Sequence, residues 1–314
     1  MSLLEVSNLR KTFDGYVAVD DLSFRVEAGE VFGLLGPNGA GKSTTMMMLA
    51  GLRRPDAGTI SIDGHQVVEG DNKLQTRLGI VPQDLAIYPD LTAWENLDFF
   101  ARIYGVRGDE LKRRIERILQ DIGLTEHANQ YVHTFSGGMK RRLNFGAALL
   151  HDPVLVILDE PTVGVDPQSR SHLLDCVRQL SARGIAVIYA SHYMEEVESV
   201  CQRVAIVDHG KLLKIGTLDE LLDSTRSDVL IRVGAPANRL APHLSGLAEV
   251  TSLNGESQVV IHRGRTLGAA EVTYRLKQVL EVLQREKAEL YSIETQEHNL
   301  ERLFLELTGQ KLRD

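Results

Sequence analysis

Apolar and polar residues alternate in two segments near the start of the chain. Residues 17–26 (VAVDDLSFRV) and 58–64 (GTISIDG) follow this alternation, which predicts half-exposed strands. Residues 31–36 (VFGLLG) form a denser apolar run that ends in glycine, as a buried parallel strand does. From residue 42 to residue 52 the apolar period becomes helical. The pattern therefore predicts half-exposed strands together with a strand–helix unit.

A helical pattern begins near Tyr88 and continues to about residue 135. Thr92 and Glu95 have the spacing of a capping box, which predicts a helix that starts there. Between residues 110 and 124, apolar side chains recur along one helical stripe. They are Leu111, Ile115, Ile118, Leu119 and Ile122. We interpret residues 88–135 as a mostly helical insert.

After the insert, strands and a helix return. Residues 153–160 (PVLVILDE) and 185–191 (IAVIYAS) are predicted strands, and a helix is predicted over about 167–183. Strands that alternate with helices are typical of an α/β core.

The composition changes at a polar stretch, residues 222–228 (LDSTRSD), which is predicted to be a linker. Strands are predicted beyond it near 228–234, 247–252, 257–262 and 289–295, and helices near 236–245, 267–286 and 298–308. Their order matches the split βαβ arrangement of a ferredoxin-like α+β domain, followed by one extra helix. The predicted domains are therefore residues 1–222 and 228–314.

Composition and charge narrow the function classes. The formal net charge of −8 over 314 residues argues against a protein that grips nucleic acid with its whole surface. The basic run at 140–142 (KRR) is predicted to be a solvated helix face.

Cys176 and Cys201 lie in helix-like, partly apolar stretches, so we expect buried free thiols and a reducing compartment. The start of the chain has no signal-peptide pattern, and no apolar run approaches the roughly 18 residues of a membrane helix. Any membrane role is expected to depend on a partner.

Residues 36–43 (GPNGAGKS) fit the phosphate-binding P-loop pattern, and they lie between a predicted strand and a predicted helix, the context that the pattern requires. The glycines let the backbone curl so that its N–H groups point at phosphate oxygens, and the helix N-terminus adds positive partial charge. Lys42 is placed to contact the β- and γ-phosphates, and the Ser43 hydroxyl to bind Mg²⁺. The motif predicts binding of a nucleoside triphosphate.

An acidic pair, Asp159 and Glu160, follows the apolar strand 154–158. The carboxyl end of such a strand is where ligands bind in open α/β sheets. Asp159 would hold Mg²⁺ or its water shell, and Glu160 could accept a proton from an attacking water. Alone, such a pair also fits the start of a helix. The neighbouring P-loop favours the catalytic interpretation.

Four further features occur in a fixed order: Gln83, the Ser-Gly-Gly at 136–138, Asp166 and His192. Separately they fit a surface Gln, a Gly-rich helix start, an Asp cap before Pro167 and a surface His. Together with the P-loop and the acidic pair, they resemble the nucleotide-binding subunit of ATP-binding-cassette (ABC) transporters. The resemblance covers about residues 1–222. It implies a P-loop NTPase core with an antiparallel β subdomain and the helical insert.

The resemblance assigns roles residue by residue. The Walker A loop would comprise Gly36, Pro37, Asn38, Gly39, Ala40, Gly41, Lys42, Ser43 and Thr44. Asp159 would be the Walker B aspartate on Mg²⁺, and Glu160 the catalytic glutamate. Gln83 would touch Mg²⁺ or the attacking water, and His192 would steady the γ-phosphate. These roles imply ATP hydrolysis with Mg²⁺.

The remaining assignments concern the base and the second phosphate site. Phe13 would stack on adenine, with Tyr16 as second choice, although a core or surface aromatic also fits position 13. The signature would be Ser136, Gly137 and Gly138, and Asp166 the D-loop aspartate. In this family two subunits pack head to tail, and each signature caps the ATP on the other subunit's P-loop. The resemblance therefore implies a dimer around two ATP, and we expect its two chains to be identical.

The branch of the family is indicated by residues 136–153 (SGGMKRRLNFGAALLHDP) and 299–309 (NLERLFLELTG). Both resemble exporters of drugs and polysaccharides, in which Met at position 139 is common although Gln is usual in the family. The implied partner is a separate integral-membrane permease, and the implied location is peripheral, on the cytoplasmic face of the cell membrane. No nucleic acid partner is expected.

Two other classes stay open at this point. One is an ABC ATPase of translation or DNA repair. Such proteins usually carry two cassettes or long coiled-coil inserts, and neither is visible here. The other is a regulatory ATPase whose C-terminal domain binds a ligand.

Overall fold

The computed structural model describes residues 2–222, 228–253, 256–262, 269–296 and 299–309. They form two compact units, one from Met1–Leu218 and Phe304–Asp314, the other from Asp219–Leu303. Most of the predicted linker, residues 223–227, lies outside the described residues.

The described residues of the first unit form ten strands. They are β1 Ser2–Phe13, β2 Tyr16–Glu27, β3 Val31–Leu35, β4 Ala57–Ile62, β5 His65–Gln66, β6 Leu78–Val81, β7 Leu155–Asp159, β8 Ala186–Ser191, β9 Arg203–Asp208 and β10 Lys211–Thr217. Its helices are α1 Lys42–Leu49, α2 Asn72–Gln75, α3 Ala93–Ile103, α4 Gly108–Asp121, α5 Gly137–Ala147, α6 Pro167–Ala182 and α7 Met194–Val200. A short helix, α8 Leu218–Leu222, follows at the boundary between the units.

The strands of the first unit form two sheets. A six-stranded sheet has the order β10-β9-β3-β8-β7-β6, in which β10 is the antiparallel edge and the other strands are parallel. An antiparallel sheet has the order β2-β1-β4-β5. The rings of Phe24 on β2 and Phe32 on β3 stack with centroids 5.0 Å apart inside the core. Because β3, β6, β7 and β8 are parallel, their carboxyl ends share one edge, which is where ligands bind in such sheets.

The insert is helical, as its pattern predicts. Thr92 caps α3, and Glu95 completes the capping box by accepting the Thr92 N–H at 2.8 Å. The apolar stripe of α4 is buried and continues into Ile122. Two short 3-10 turns, Thr125–His127 and Val132–Thr134, lead into α5.

The second unit contains β11 Asp228–Val233, α9 Ala237–Leu244, β12 Glu249–Leu253, β13 Glu256–His262, α10 Ala269–Arg285 and β14 Leu290–Gln296. The last helix, α11 Leu300–Thr308, begins in this unit. The strands form an antiparallel sheet in the order β12-β13-β11-β14. This is the strand order of the predicted split βαβ arrangement. Buried residues of β11 and β13 share one apolar core with α9 and α10.

Both cysteines are buried free thiols, as expected. Burial raises the pKa of the Cys176 thiol to about 11 and raises that of Cys201 further. Among the described residues, no helix combines the length and apolar character that a membrane span needs.

Candidate functional site

The P-loop joins the end of β3 to the start of α1, and glycine is required at two of its positions. A Cβ atom at Gly36 would lie 2.3 Å from the carbonyl oxygen of Val207. A Cβ atom at Gly41 would lie 2.3 Å from the carbonyl oxygen of Ala18. Gly41 also has a φ of +98°, in the left-handed region. The loop can therefore pack closely on neighbouring backbone while it leads into the helix N-terminus.

Lys42 is buried at the base of this loop, with 5% of its surface exposed. Its ammonium donates to the carbonyl oxygens of Gly36 at 2.8 Å and Pro37 at 3.1 Å, and it lies 3.7 Å from Glu160 Oε1. Burial lowers the pKa of Lys42, while the carboxylates of Glu160 and Asp159 act in the opposite direction. The oxygen atoms of a bound phosphate could replace these oxygen atoms as the hydrogen-bond acceptors of the buried Lys42 ammonium.

Glu160 follows β7 with a φ of +48°, a conformation that costs a non-glycine residue energy and recurs at functional sites. Its backbone N–H donates to the Ala190 carbonyl of β8 at 3.0 Å. Its carboxylate accepts from Gln83 Nε2 at 3.3 Å and lies 3.0 Å from His192 Nδ1. Four residues predicted to be catalytic, Lys42, Gln83, Glu160 and His192, thus meet around one carboxylate.

Asp159 and Ser43 fit a magnesium site. The Ser43 hydroxyl bonds to the Asp159 carboxylate, and burial raises the pKa of Asp159. Asp159 Oδ1 is buried and has no hydrogen-bond partner. One carboxylate and one hydroxyl, completed by phosphates and water, are a typical Mg²⁺ ligand set. The remaining predicted ligand, Gln83, lines the same cleft as Ser43.

A cleft of about 270 Å³ opens over the P-loop. Its lining comprises Phe13, Tyr16, Ala18, Asn38, Gly39, Gly41, Lys42, Ser43, Thr44, Gln83 and Glu160. Both candidate aromatics for the base are therefore present. The Tyr16 hydroxyl donates to the Gly39 carbonyl at 3.3 Å, while Phe13 lies beneath the cations of Lys11 and Arg53.

The signature residues and Asp166 do not line this cleft. Ser136 is exposed and caps α5 by accepting the Met139 N–H at 3.2 Å. A Cβ at Gly138 would lie 2.1 Å from Ser169 Oγ and 2.8 Å from Asp166 Oδ2. Asp166 caps α6, where hydrogen bonds from Ser169 lower its pKa. The structure thus groups these residues where the N-termini of α5 and α6 lie side by side, apart from the P-loop cleft.

A buried carboxylate that sequence reasoning missed lies four residues after His192 in the sequence. Glu196 on α7 is 3% exposed. It accepts hydrogen bonds from Thr162 at 2.6 Å and Tyr189 at 2.8 Å, and Arg170 Nε lies 3.2 Å from its other oxygen. It therefore ties the segment after Glu160, strand β8 and helix α6 together. Its position on the inner face of a short helix gave no signal for this role.

We expect Glu196→Ala to lower the free energy of unfolding by about 2–4 kcal/mol, because it removes the buried charge that pairs with Arg170 and leaves two buried hydroxyl groups without their acceptor. Urea denaturation followed by the fluorescence of Trp94, the single tryptophan, measures the change. The matched control is Glu116→Ala, whose side chain is 56% exposed and should matter little. Equal stability of the two variants would contradict this network.

The sequence has clear relatives. Residues 19–163 match the family described as ABC transporter. The chain is 44% identical over 315 residues to the linearmycin resistance ATP-binding protein LnrL of Bacillus subtilis (strain 168), covering 99% of this chain and 100% of the relative. It is 37% identical over 312 residues to the Nod factor export ATP-binding protein I of Paraburkholderia xenovorans (strain LB400). That match covers 99% of this chain and 98% of the relative.

Solved structures agree in fold. An ATP binding subunit of an ABC transporter, 33% identical, superposes with a TM-score of 0.64 over 70% of this chain and 92% of that one. The structure of cbiO1 from Clostridium perfringens, part of the ABC transporter complex cbiONQ, is 28% identical and superposes with a TM-score of 0.66. The match covers 71% of this chain and 91% of that one. The predicted ABC-type ATPase fold is confirmed, and the chain belongs to the ABC transporter family as an ATP-binding subunit of the ATP-hydrolysing type.

Proposed function

We propose that this chain hydrolyses ATP as one of two identical subunits that drive a separate membrane permease, with transport directed out of the cell. The convergence of Gln83, Glu160 and His192 above the P-loop lysine carries the hydrolytic part of the proposal. The outward direction is supported by relatives named for linearmycin resistance and Nod factor export. No role for nucleic acid is proposed.

Hydrolysis follows from the chemistry of these side chains. Glu160 orients a water and accepts its proton as the water attacks the γ-phosphate. Lys42 donates to the β- and γ-phosphate oxygens, and His192 stabilises the charge that develops on them. Ser43 and Asp159 would hold Mg²⁺, which neutralises phosphate charge when bound. Phe13 or Tyr16 offers a ring on which adenine stacks.

The exposed signature supports a head-to-tail dimer. Ser136 and Gly137 are exposed at the start of α5, and a Cβ at Gly137 would find no atom closer than 3.9 Å. A helix N-terminus with free N–H groups binds anions. The signature lies outside the P-loop cleft of its own chain, so the phosphate that it holds would come from the ATP of the partner subunit, beside Asp166.

The permease would dock on an exposed aromatic patch of the insert. We use the name insert patch for Tyr88, Phe99, Phe100 and Ile103. The rings of Tyr88 and Phe99 pack edge to face with their centroids 4.9 Å apart, and the centroids of the Phe99 and Phe100 rings are 5.3 Å apart. Tyr88 is 47% exposed and Ile103 62%. Grouped aromatic residues at a surface are typical of protein interfaces. Tyr88 lies in the segment between β6 and α3 that also contains Gln83. Docking on the patch could influence the catalytic site through this segment.

We expect Phe99→Glu to weaken association with the permease at least tenfold, because it places a charge in a desolvated contact, while ATP affinity is unchanged. Co-purification in detergent with the membrane protein encoded beside this chain, together with nucleotide binding by the isolated subunit, measures both. Tyr274→Glu is the matched control, since Tyr274 is 56% exposed on α10.

Two results would count against the proposal. If the wild-type chain binds no membrane protein and stays in the cytosolic fraction when its permease is present, the transporter function is wrong. If Phe99→Glu and Tyr274→Glu retain equal association, docking occurs elsewhere and the insert patch is wrong.

A further inference from the structure

His192 lies on a short connection between a strand and a helix. Strand β8 ends at Ser191 and helix α7 begins at Met194, so His192 and Tyr193 alone join them. The imidazole reaches the catalytic carboxylate, with Nδ1 3.0 Å from Glu160 Oε1. The χ2 angle of a histidine has broad minima, so this contact does not by itself fix the ring. A packing partner is needed to hold it.

Tyr193 is the packing partner of His192. The centroids of the two rings are 4.1 Å apart, and their planes make an angle of 39°. The tyrosine ring therefore covers one face of the imidazole. Turning the imidazole edge-on to this ring would need a larger separation of the centroids. The contact therefore favours the orientation in which Nδ1 faces Glu160.

The tyrosine ring is itself held in place. The guanidinium carbon of Arg170 lies over the face of the Tyr193 ring, 5.4 Å from its centroid, which is a cation–π contact. Arg170 Nε lies 3.2 Å from the carboxylate of Glu196, which is 3% exposed and accepts from Thr162 and Tyr189. A buried charge thus fixes the guanidinium, and the guanidinium fixes the ring.

The backbone that carries the two rings is also fixed. The N–H of Tyr193 donates to the Ser191 hydroxyl at 2.9 Å, and this hydroxyl donates to Glu196 at 3.4 Å. Ser191 is 1% exposed. The Tyr193 carbonyl accepts the N–H of Val197, in α7, at 3.3 Å. These contacts set the direction in which the tyrosine ring leaves the backbone.

Other roles do not account for the Tyr193 side chain. It does not line the P-loop cleft, and it is 37% exposed, so it is not a core residue. Within the described part of the chain, its hydroxyl has no hydrogen-bond partner. The ring, and not the hydroxyl, is the part that acts on His192.

We infer that Tyr193 is a positioning residue whose ring holds the imidazole of His192 at the catalytic carboxylate. Arg170 and Glu196 keep that ring in place. This role rests on the proposed function, in which His192 stabilises charge on the γ-phosphate, but the contact between the rings can be tested without ATP. An aromatic ring is required at position 193, and a hydroxyl group is not.

The contact is tested by NMR of the full chain with 13C-labelled histidine and no nucleotide. The ring current of a stacked tyrosine shifts the carbon-bound protons of the imidazole upfield, and the His192 signals are those that disappear in His192→Ala. Tyr193→Phe should keep the upfield shift, and Tyr193→Ala should lose it. Tyr274→Ala, which removes an exposed ring on α10, should match wild type.

The remaining histidine signals show whether Tyr193→Ala is folded. If it is not, Tyr193→Leu gives the same comparison, because it fills space without a ring current. His192 signals that stay unchanged when the ring is removed, or that show no upfield shift in wild type, would overturn the inference.

Turnover measures the consequence for hydrolysis. Tyr193→Ala should lower kcat at least about tenfold, because a small misplacement of a catalytic group is costly. Its KM for ATP should stay near the wild-type value, because Tyr193 lies outside the cleft. Tyr193→Phe and Tyr274→Ala should hydrolyse at the wild-type rate. In the His192→Ala background, Tyr193→Ala should cause no further loss, because no imidazole remains to be positioned.

The outcomes separate this role from the proposed function. If His192→Ala is slow but Tyr193→Ala hydrolyses normally, or if Tyr193→Ala slows both backgrounds equally, Tyr193 does not act through His192. A Tyr193→Phe variant as slow as Tyr193→Ala would assign the effect to the hydroxyl and also contradict the inference. If His192→Ala itself hydrolyses at the wild-type rate, the proposed role of His192 is wrong, and the role of Tyr193 in hydrolysis with it.

Discussion

Replacing Glu160 by Gln is expected to slow ATP turnover about 100-fold or more while ATP still binds, because the amide cannot accept a proton from the attacking water. The amide oxygen can still accept the hydrogen bond from Gln83, and the side chain keeps its size, so the fold should be unaffected. Bound ATP that is not consumed should also hold two chains together. Steady-state phosphate release and size-exclusion chromatography with ATP measure these effects.

The matched control for this variant is Glu116→Gln, an exposed carboxylate on α4, which should hydrolyse ATP at the wild-type rate. Near-normal turnover by Glu160→Gln would remove Glu160 as the base. An absence of dimer in the presence of ATP would count against the sandwich rather than against the base.

Replacing Lys42 by Ala is expected to weaken ATP binding itself by about 100-fold, equivalent to about 3 kcal/mol. The ammonium is buried, and the carbonyl groups and carboxylates around it can offer phosphate no positive charge. Titration of the isolated subunit with a fluorescent ATP analogue measures the affinity.

Lys112→Ala removes an ammonium that is 71% exposed on α4 and should leave ATP affinity unchanged. If Lys42→Ala both binds ATP with the affinity of this control and hydrolyses it at the control's rate, the P-loop assignment is wrong. If it binds normally but hydrolyses slowly, Lys42 acts on the transition state and not on binding.

Much of the fold follows from local signals in the sequence. Period-two and dense apolar runs identify β2, β3, β7 and β8, and the Thr92–Glu95 capping box marks the first residue of α3. The long β1 received no assignment. Its pairing with β2 changes register at several points, and such irregularities break the alternation on which a strand prediction depends. The hairpin β9–β10 was also unassigned.

Site residues that stand at motif positions can be predicted from the sequence. Residues whose role comes from packing between distant segments cannot. The P-loop, the acidic pair and His192 stand at motif positions, and the structure brings them together around Glu160.

The contacts of Arg141 with the carbonyl groups of Gln83 and Val163, and that of Glu196 with Thr162, join segments 20 or more residues apart in sequence. The prediction of a solvated helix face is therefore wrong for Arg141. A single sequence carries no signal for such contacts, and a basic run on a helix resembles a solvated face.

In the proposed dimer, the two phosphate sites of one chain hold different ATP molecules. Lys42→Ala disables the P-loop. Gly137→Asp disables the signature, since it adds a negative charge where the γ-phosphate should lie. The open space at Gly137 accommodates the side chain, and an acidic residue in the first turn suits the helix. Each variant alone should be inactive, and Gly137→Asp should keep wild-type ATP affinity as a monomer.

The most direct measurement is ATPase activity after the two inactive variants are mixed. A mixed dimer would have one intact site, the P-loop of the Gly137→Asp chain capped by the signature of the Lys42→Ala chain. Activity is expected to recover to at most about a quarter of the wild-type rate, since half of the dimers would be mixed and half of their sites intact. A mixture that stays inactive, although the two chains associate in the presence of ATP, would contradict the proposed dimer.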